Sequence, residues 1–405
     1  MSSIYDKSSL VLIPSGTKTS KVYSQKPTNG DGDFDFTRST AATRVNADGN
    51  IEKETQNLVT YSNTFSNAIW NASAGSVFTS GQAGYDGSND AWKLASGGSG
   101  TMQIVQTTSN TSMKTHSIYA KAGSVSTLKI WVGSTKEFDL SAGTTSSTDS
   151  KITNVGGGWY RCEVFNIFSN LNPFFTAASA GDYIYVQDAQ LNQGLIAQEV
   201  ITTTTTALYG GITDNVPRLD YTDSSCPALL LEPQRTNLVT QSEYFASWYQ
   251  SGATTNTNNA ISPDGTLNAS LITIPSGGYG SVYTIPTSIS GTTYTSSVYG
   301  KKGNQNYLSL EYRVGAFSGN VDAVFDLNTG VVTSGTGIIE DVGNGWYRCS
   351  VTKVSTSSSA LLIIGRGISG SSNDTVYLYG AETEAGSYAT SYIPTYGTSV
   401  TRNVD

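Results

Sequence analysis

Alternation of apolar and polar positions is the strongest signal along the chain. In Thr127-Leu128-Lys129-Ile130-Trp131-Val132, the residues Leu128, Ile130 and Val132 fall on one face of a strand. Leu308, Leu310, Tyr312 and Val314 do the same in the run Tyr307 to Val314. Tyr183-Ile184-Tyr185-Val186 and Val376-Tyr377-Leu378-Tyr379 read as one late strand that occurs twice. Glycine, Asn, Asp and Ser fall between these runs as turn formers. No stretch carries a sustained helical stripe with capping signals. The pattern predicts many short strands joined by turns, as in a β-sandwich or jelly roll.

The strands belong to a repeat. Asn57-Leu58-Val59-Thr60 recurs as Asn237-Leu238-Val239-Thr240, a spacing of about 180 residues. Phe65, Trp70, Asp86-Gly87 and Ala91 find counterparts in Phe245, Trp248, Asp264-Gly265 and Ala269. Ser117 to Gly123 matches Ser297 to Gly303, and Phe138-Asp139-Leu140 matches Phe325-Asp326-Leu327. The strongest match sets Val155-Gly156-Gly157-Gly158-Trp159-Tyr160-Arg161-Cys162-Glu163-Val164 against Val342-Gly343-Asn344-Gly345-Trp346-Tyr347-Arg348-Cys349-Ser350-Val351. Ala189 and Gly194 match Ala381 and Gly386. The spacing drifts between motifs, where loops tolerate changes of length. Expected, therefore, is an all-β chain of two homologous β-sandwich (jelly-roll) modules, with a small β scaffold from the N-terminal segment and a connector. The boundaries are 1–54 for the N-terminal segment, 55–206 for copy one, 207–233 for the connector and 234–405 for copy two.

The scaffold has signals of its own. Ser9 to Pro14 reads as a first strand. Asp33-Phe34-Asp35-Phe36-Thr37 reads as a second, with both phenylalanines on one side. Asn46-Ala47-Asp48-Gly49-Asn50 is a turn. In the connector, Ala228-Leu229-Leu230-Leu231 requires burial, so the connector packs instead of hanging free.

Composition narrows the function classes. Charged residues make up 13% of the chain and the net charge is −8, without a Lys/Arg run, so nucleic acid is not an expected partner. No apolar stretch is long enough to span a bilayer as a helix. The segment Met1 to Lys7 lacks the apolar core of a signal peptide. Cys162 and Cys349 occupy equivalent positions of the two copies, so they read as small buried apolar residues and not as a disulfide.

Candidate chemistry is sparse. His116, the only histidine, is read as a surface or turn residue beside the Tyr119 strand. One His and three scattered Cys do not support a zinc site, and no catalytic residue, metal or cofactor is assigned. Asp139 and Asp326 are equivalent and are read as structural. Asp31, Asp33 and Asp35 alternate as calcium ligands would, but Phe34 stands where an EF-hand loop has its glycine, and a plain turn is favoured. For glycan binding, exposed aromatic faces with polar neighbours are the candidates: Trp131, Trp159, Tyr279, Tyr312 and Trp346, with Arg161 and Arg348 beside the tryptophans.

The run Asp35-Phe36-Thr37-Arg38-Ser39-Thr40-Ala41-Ala42-Thr43-Arg44-Val45-Asn46-Ala47-Asp48-Gly49 resembles a motif widespread in bacteriophage structural proteins. So does Asn215-Val216-Pro217-Arg218-Leu219-Asp220-Tyr221, followed by Leu229-Leu230-Leu231-Glu232-Pro233-Gln234-Arg235-Thr236-Asn237-Leu238. The opening of the chain is similar to the start of phage head-fibre or tail-fibre proteins, and the modules resemble carbohydrate-binding-like jelly rolls. In simpler relatives the first motif leads almost directly into the second. Copy one is therefore read as an insertion into the scaffold, which places 33–52 close to 214–232. The resemblance implies a virion surface protein without enzymatic activity, with a head fibre favoured, a tail fibre or receptor-binding protein as the alternative, and a glycan-degrading enzyme as a lesser one. It implies capsid or tail proteins as partners, a homotrimer, host-surface glycans as ligands and assembly in the host cytoplasm. Residues 1–54 are read as the virion anchor, and their deletion is expected to leave folded modules.

Overall fold

The computed structural model describes residues 4–108, 112–275, 280–314, 321–365 and 373–405. It divides into two compact units, Thr55–Gly210 and the combination of Met1–Glu54 with Gly211–Asp405.

The unit Thr55–Gly210 is a β-sandwich. One sheet runs in the order Thr144–Thr145, Thr135–Asp139, Thr127–Trp131, Pro173–Ala177, Gly100–Thr107, the last also pairing Asn170–Leu171 and Asn71–Ala72. The other runs Ser150–Gly156, Trp159–Asn166, Lys114–Ala122, Tyr183–Gln193, Ala91–Ala95, Val77–Gln82. Alternation puts Leu128, Ile130, Phe138 and Phe175 of the first sheet against Ile118, Cys162, Val164, Ile184 and Val186 of the second, all buried in one core.

Copy two repeats this plan except that it has no strand equivalent to Asn170–Leu171, so its first sheet has six strands where copy one has seven. Its sheets run Val331–Gly335, Ala323–Asp326, Tyr307–Val314, Ala360–Ile364, Ser281–Thr284, Tyr249–Ser251, and Ile338–Asp341, Trp346–Val354, Thr293–Lys302, Asp374–Ala385, Ala269–Ile274, Thr254–Ala260. Even an irregularity is shared. The register slips between Ser117 and Tyr119 in one copy and between Ser297 and Tyr299 in the other. The bulged residue has positive φ in both, Asp188 at 46° and Gly380 at 56°.

The repeated Asn-Leu-Val-Thr motif supplies a hub in each module. Asn57 donates through Nδ2 to the carbonyls of Ala189 and Ile201, and accepts at Oδ1 from the amides of Val59 and Leu191. Asn237 does the same with Ala381, Ile393, Val239 and Thr383. One amide side chain thus satisfies four backbone groups where the entering segment crosses the late strand. Beside it, Trp70 and Trp248 donate their indole N–H to the carbonyls of Tyr61 and Gln241.

The scaffold is joined to copy two within a single unit. Val11–Lys18, Lys21–Lys26 and Phe34–Asp35 form a three-stranded sheet. Arg44–Val45 pairs with Ile51–Glu52 around the Asn46 turn, Arg218–Asp220 with Ala228–Leu230, and Arg235–Asn237 with Val400–Arg402. Residues 33–52 and 214–232 meet: the Asn215 amide donates to the Arg38 carbonyl, and Val45 donates to the Asp220 carboxylate. Leu208–Gly210, placed in the connector by the sequence, instead pairs with Thr55–Asn57 inside the other unit. Phe34 and Phe36 do not share an environment, because the strand ends at Asp35; Phe34 is exposed and Phe36 is buried under the Arg38 guanidinium.

Two ionic features bind the N-terminal segment in. Lys53 reaches Glu243 at 2.9 Å and Asp264 at 2.7 Å, with the Tyr379 hydroxyl at 3.2 Å. Burial disfavours the Lys53 ammonium, but the two carboxylates outweigh it and hold its pKa well up. Arg38 and Arg218 both bind the carboxylate of Asp405, while Arg218 and Arg402 share Glu232 at 2.8 and 2.9 Å. With Lys53, Ile51 and Arg38 all buried or paired against copy two, residues 1–54 are not separable from that module as the sequence suggested.

Replacing Asn237 with Ala strips partners from four backbone groups. The expected loss is about 3 kcal/mol or more of stability, read by urea denaturation. Asn57→Ala should cost a similar amount in the other unit, with its transition shifted separately.

Candidate functional site

The sequence candidates separate sharply once burial is known. Trp159 and Trp346 lie on the outer side of their sheets but are buried. Trp159 packs with Tyr119 and Ala91, and Trp346 with Ile51, Tyr299, Tyr379 and Tyr392. Arg161 and Arg348 cover the rings of Tyr119 and Tyr299, each 5.4 Å from the centroid. Their guanidiniums donate to equivalent carbonyls, Gln198 at 2.5 Å and Thr390 at 2.6 Å, and Arg348 also pairs with Glu382 at 3.1 Å. These four residues are a repeated structural unit, not a sugar platform, because a second layer covers the face that alternation left open. Tyr312 follows Leu308 and Leu310 into the core of copy two. Tyr279 lies outside the described residues.

Trp131 is the candidate that meets solvent, with 39% of its surface exposed. Its ring stands edge-on to Phe168, centroids 5.3 Å apart. Lys129, two residues back on the same face, pairs with Glu137 at 2.9 Å, and Thr135 lies directly opposite Trp131. A held aromatic surface beside a charged pair and a hydroxyl is what a sugar ring requires. The equivalent sheet of copy two carries a platform that the sequence reading missed, the cross-strand pair Tyr249 and Tyr283, stacked at 4.9 Å and 13°. Trp131 had a counterpart signal in its register; Tyr249, next to the buried Trp248, sits in a strand too short to show alternation.

Other expectations resolve into structure. His116 is a buried residue of the central strand Lys114–Ala122, not a surface one. Burial, and then Lys114, push its pKa down to about 3, so the ring is neutral at physiological pH. Asp139 caps the turn at Ser141 and Ala142, and Asp326 the turn at Asn328 and Thr329. The three aspartates of the 29–35 segment turn to different partners: Asp31 to Asn29, Asp33 to Ser24, and Asp35 to Lys21 at 3.0 Å. Cys162 and Cys349 are core residues, and Cys226 is exposed.

A cavity of about 470 Å³ opens where the scaffold meets the outer face of copy two. Asp220, Asp223, Glu232, Glu340, Arg44, Arg348 and Tyr299 are among its walls. Much of this charge is engaged. Glu232 holds Arg218, Arg402 and Ser391; burial works against its carboxylate, but Arg402, the Ser391 hydroxyl and Arg218 keep its pKa below the usual range. Arg44 binds Glu52 at 2.8 Å, and Asp220 accepts from the amides of Val45 and Thr222.

No protein-family model and no curated protein matches the chain. Among solved structures, it is similar to the tandem CBM22-1–CBM22-2 domain of Paenibacillus barcinonensis Xyn10C, at 10% identity and a TM-score of 0.27, over 82% of this chain and 97% of that one. The ANXUR2 extracellular domain of Arabidopsis thaliana follows at 8% and 0.23, over 80% and 92%. The tandem CBM51 modules of Sp3GH98, a family 98 glycoside hydrolase of Streptococcus pneumoniae, match at 12% and 0.22, over 91% and 100%. At these identities and TM-scores the likenesses assign neither ligand nor activity.

The bulged Asp188 gives a pH test. Burial raises its pKa to about 6, with the nearby Asp90 and Asp86 adding to the rise and the Tyr85 hydroxyl at 3.1 Å opposing it. An acid with a raised folded pKa costs stability as pH climbs through the window from about 4 to about 6. Asn tolerates the left-handed φ and can still accept from Tyr85. Asp188→Asn should therefore stabilise the module by about 1–3 kcal/mol at pH 7.5, and the gain should vanish near pH 4 in thermal denaturation.

Proposed function

We propose that this chain is a non-catalytic structural protein of a bacteriophage virion surface, with a head fibre favoured, which binds glycans on its β-sandwich modules. The observation that carries the glycan part is Trp131. It is a large aromatic side chain held in place by Phe168 and left open to solvent beside Lys129, Glu137 and Thr135. The virion part rests on the resemblance of the 35–49 and 215–238 motifs. It is supported by the concentration of exposed apolar side chains in the N-terminal sheet, where Leu12, Ile13, Tyr23 and Phe34 are exposed, with Leu10 just before the first strand. Those residues suit attachment to capsid proteins and to further copies of the chain, a trimer in this reading. The non-catalytic part draws on a neutral, buried His116 and on Asp139 and Asp326 being spent on turns.

Two substitutions test the parts separately. Trp131→Ala should reduce binding on a glycan array by at least about tenfold while leaving the melting temperature in place. Unchanged binding would remove Trp131 from the proposal. In the sheet Val11–Lys18 and its partners, Leu12→Ser with Ile13→Ser should give folded protein that is missing from purified particles. Particles that incorporate the double variant normally would count against the attachment role. Cryo-electron microscopy of the particle distinguishes head from tail, and tail density would favour a receptor-binding role.

A further inference from the structure

The cavity in the unit of residues 1–54 and 211–405 has bonding capacity that the protein does not use. Tyr299 is 5% exposed and lines the cavity, yet its hydroxyl has no hydrogen-bond partner among the described residues. Asp223 and Glu340, on the same walls and exposed at their side chains, likewise have neither an ion pair nor a hydrogen bond among the described residues. The other charged lining groups are engaged, as described for Glu232, Asp220, Arg44 and Arg348. What remains is two free carboxylates and one phenol in a space of about 470 Å³. That volume lies within the range of small-ligand sites.

Copy one shows how such a site is closed. There the equivalent tyrosine, Tyr119, lies under Tyr85, the rings parallel within 2° and 3.7 Å apart. The position aligned with Tyr85 in copy two is Pro263, and Tyr299 meets its neighbours Tyr379 and Tyr392 tilted and edge-on instead of stacked. The cavity thus belongs to the copy whose outer face the scaffold roofs with Thr43, Arg44, Val45 and Ile51.

We propose that this cavity binds a small polyhydroxylated ligand carrying an ammonium group, the class of the amino sugars. Unpaired carboxylates select a cation with N–H donors. A phenol both donates and accepts, and so suits a ligand hydroxyl. Thr222 adds a hydroxyl group to the wall. The inference does not depend on Trp131, which belongs to the other unit.

The experiment is titration calorimetry of the full chain at pH 7 with D-glucosamine, N-acetyl-D-glucosamine and D-glucose as probes. The expected result is saturable one-to-one binding of glucosamine, weakened at least about tenfold when the amine is acetylated or replaced by hydroxyl. Tyr299→Phe removes only an unbonded hydroxyl, so it should keep or raise the melting temperature while weakening glucosamine. Glu340→Gln should weaken it too, and Trp131→Ala should leave it unchanged. Equal binding of all three sugars, or none by any, would overturn the proposal. So would wild-type affinity in Tyr299→Phe, or loss of glucosamine binding in Trp131→Ala. Failure of array binding by Trp131→Ala with glucosamine titration intact would leave this site standing and confirm the separate surface site.

Discussion

The architecture of the larger unit depends on a buried cluster in which three arginines share two carboxylates. Arg38 comes from the N-terminal segment, Arg218 and Glu232 from the connector, and Arg402 and Asp405 from the last strand and its end. Charges taken out of water are expensive unless they are paired and hydrogen-bonded. Here further guanidinium N–H groups find carbonyls, those of Thr213 and Val216 for Arg38 and of Pro233 for Arg402, while the Arg402 Nε is buried without a partner among the described residues. Removing one member leaves the others uncompensated, so segments far apart in sequence become mutually obligatory. Arg38, Arg218 and Glu232 are also residues of the motifs that resemble phage structural proteins. In this chain their role is structural, the closing of the scaffold onto its module.

The two modules show which parts of a repeat are fixed and which are free. The asparagine hub, the indole bonds and the arginine over a tyrosine ring occur in both with the same partners. The loop around Asp86 and its counterpart Asp264 is filled differently. In copy one the amide of Gln187 donates to Asp86, Ser88 and Asp90. In copy two the Lys53 ammonium occupies that neighbourhood and neutralises Asp264 and Glu243. Backbone groups that must be satisfied preserve their side-chain partners, while a polar pocket can be filled by any donor of suitable reach.

Much of this was legible in the sequence. The duplication, the strand faces of Leu128 and Leu308 and the core position of Cys162 followed from alternation and spacing. The apolar run of the connector misleads: Leu229 and Leu230 are only half-buried, and Ala228 and Leu231 are exposed, because the strand they form pairs along one edge without a layer to cover it. Alternation separates the two faces of a strand but does not say whether a second layer covers the outer one. For that reason alternation alone puts Trp159, Trp346 and their arginines on an open face, which the structure shows to be covered. Tyr312 shares its face with Leu308 and Leu310, and its burial could have been inferred. His116 was misplaced because a turn and the middle of a central strand look alike where small polar residues flank both. The cavity was invisible, since Asp223, Tyr299 and Glu340 come from segments that only the fold brings together.

Leu208–Gly210 pairs with Thr55–Asn57, and Gly210 stands opposite Thr55. The smaller module therefore begins and ends on adjacent, hydrogen-bonded strands. Its entry and exit form a two-strand socket, and none of the charged groups that close the larger unit lies beyond it. A folded domain with neighbouring termini could occupy that socket without disturbing the ion cluster. The ionic closure of the larger unit thus draws on no residue between Thr55 and Gly210.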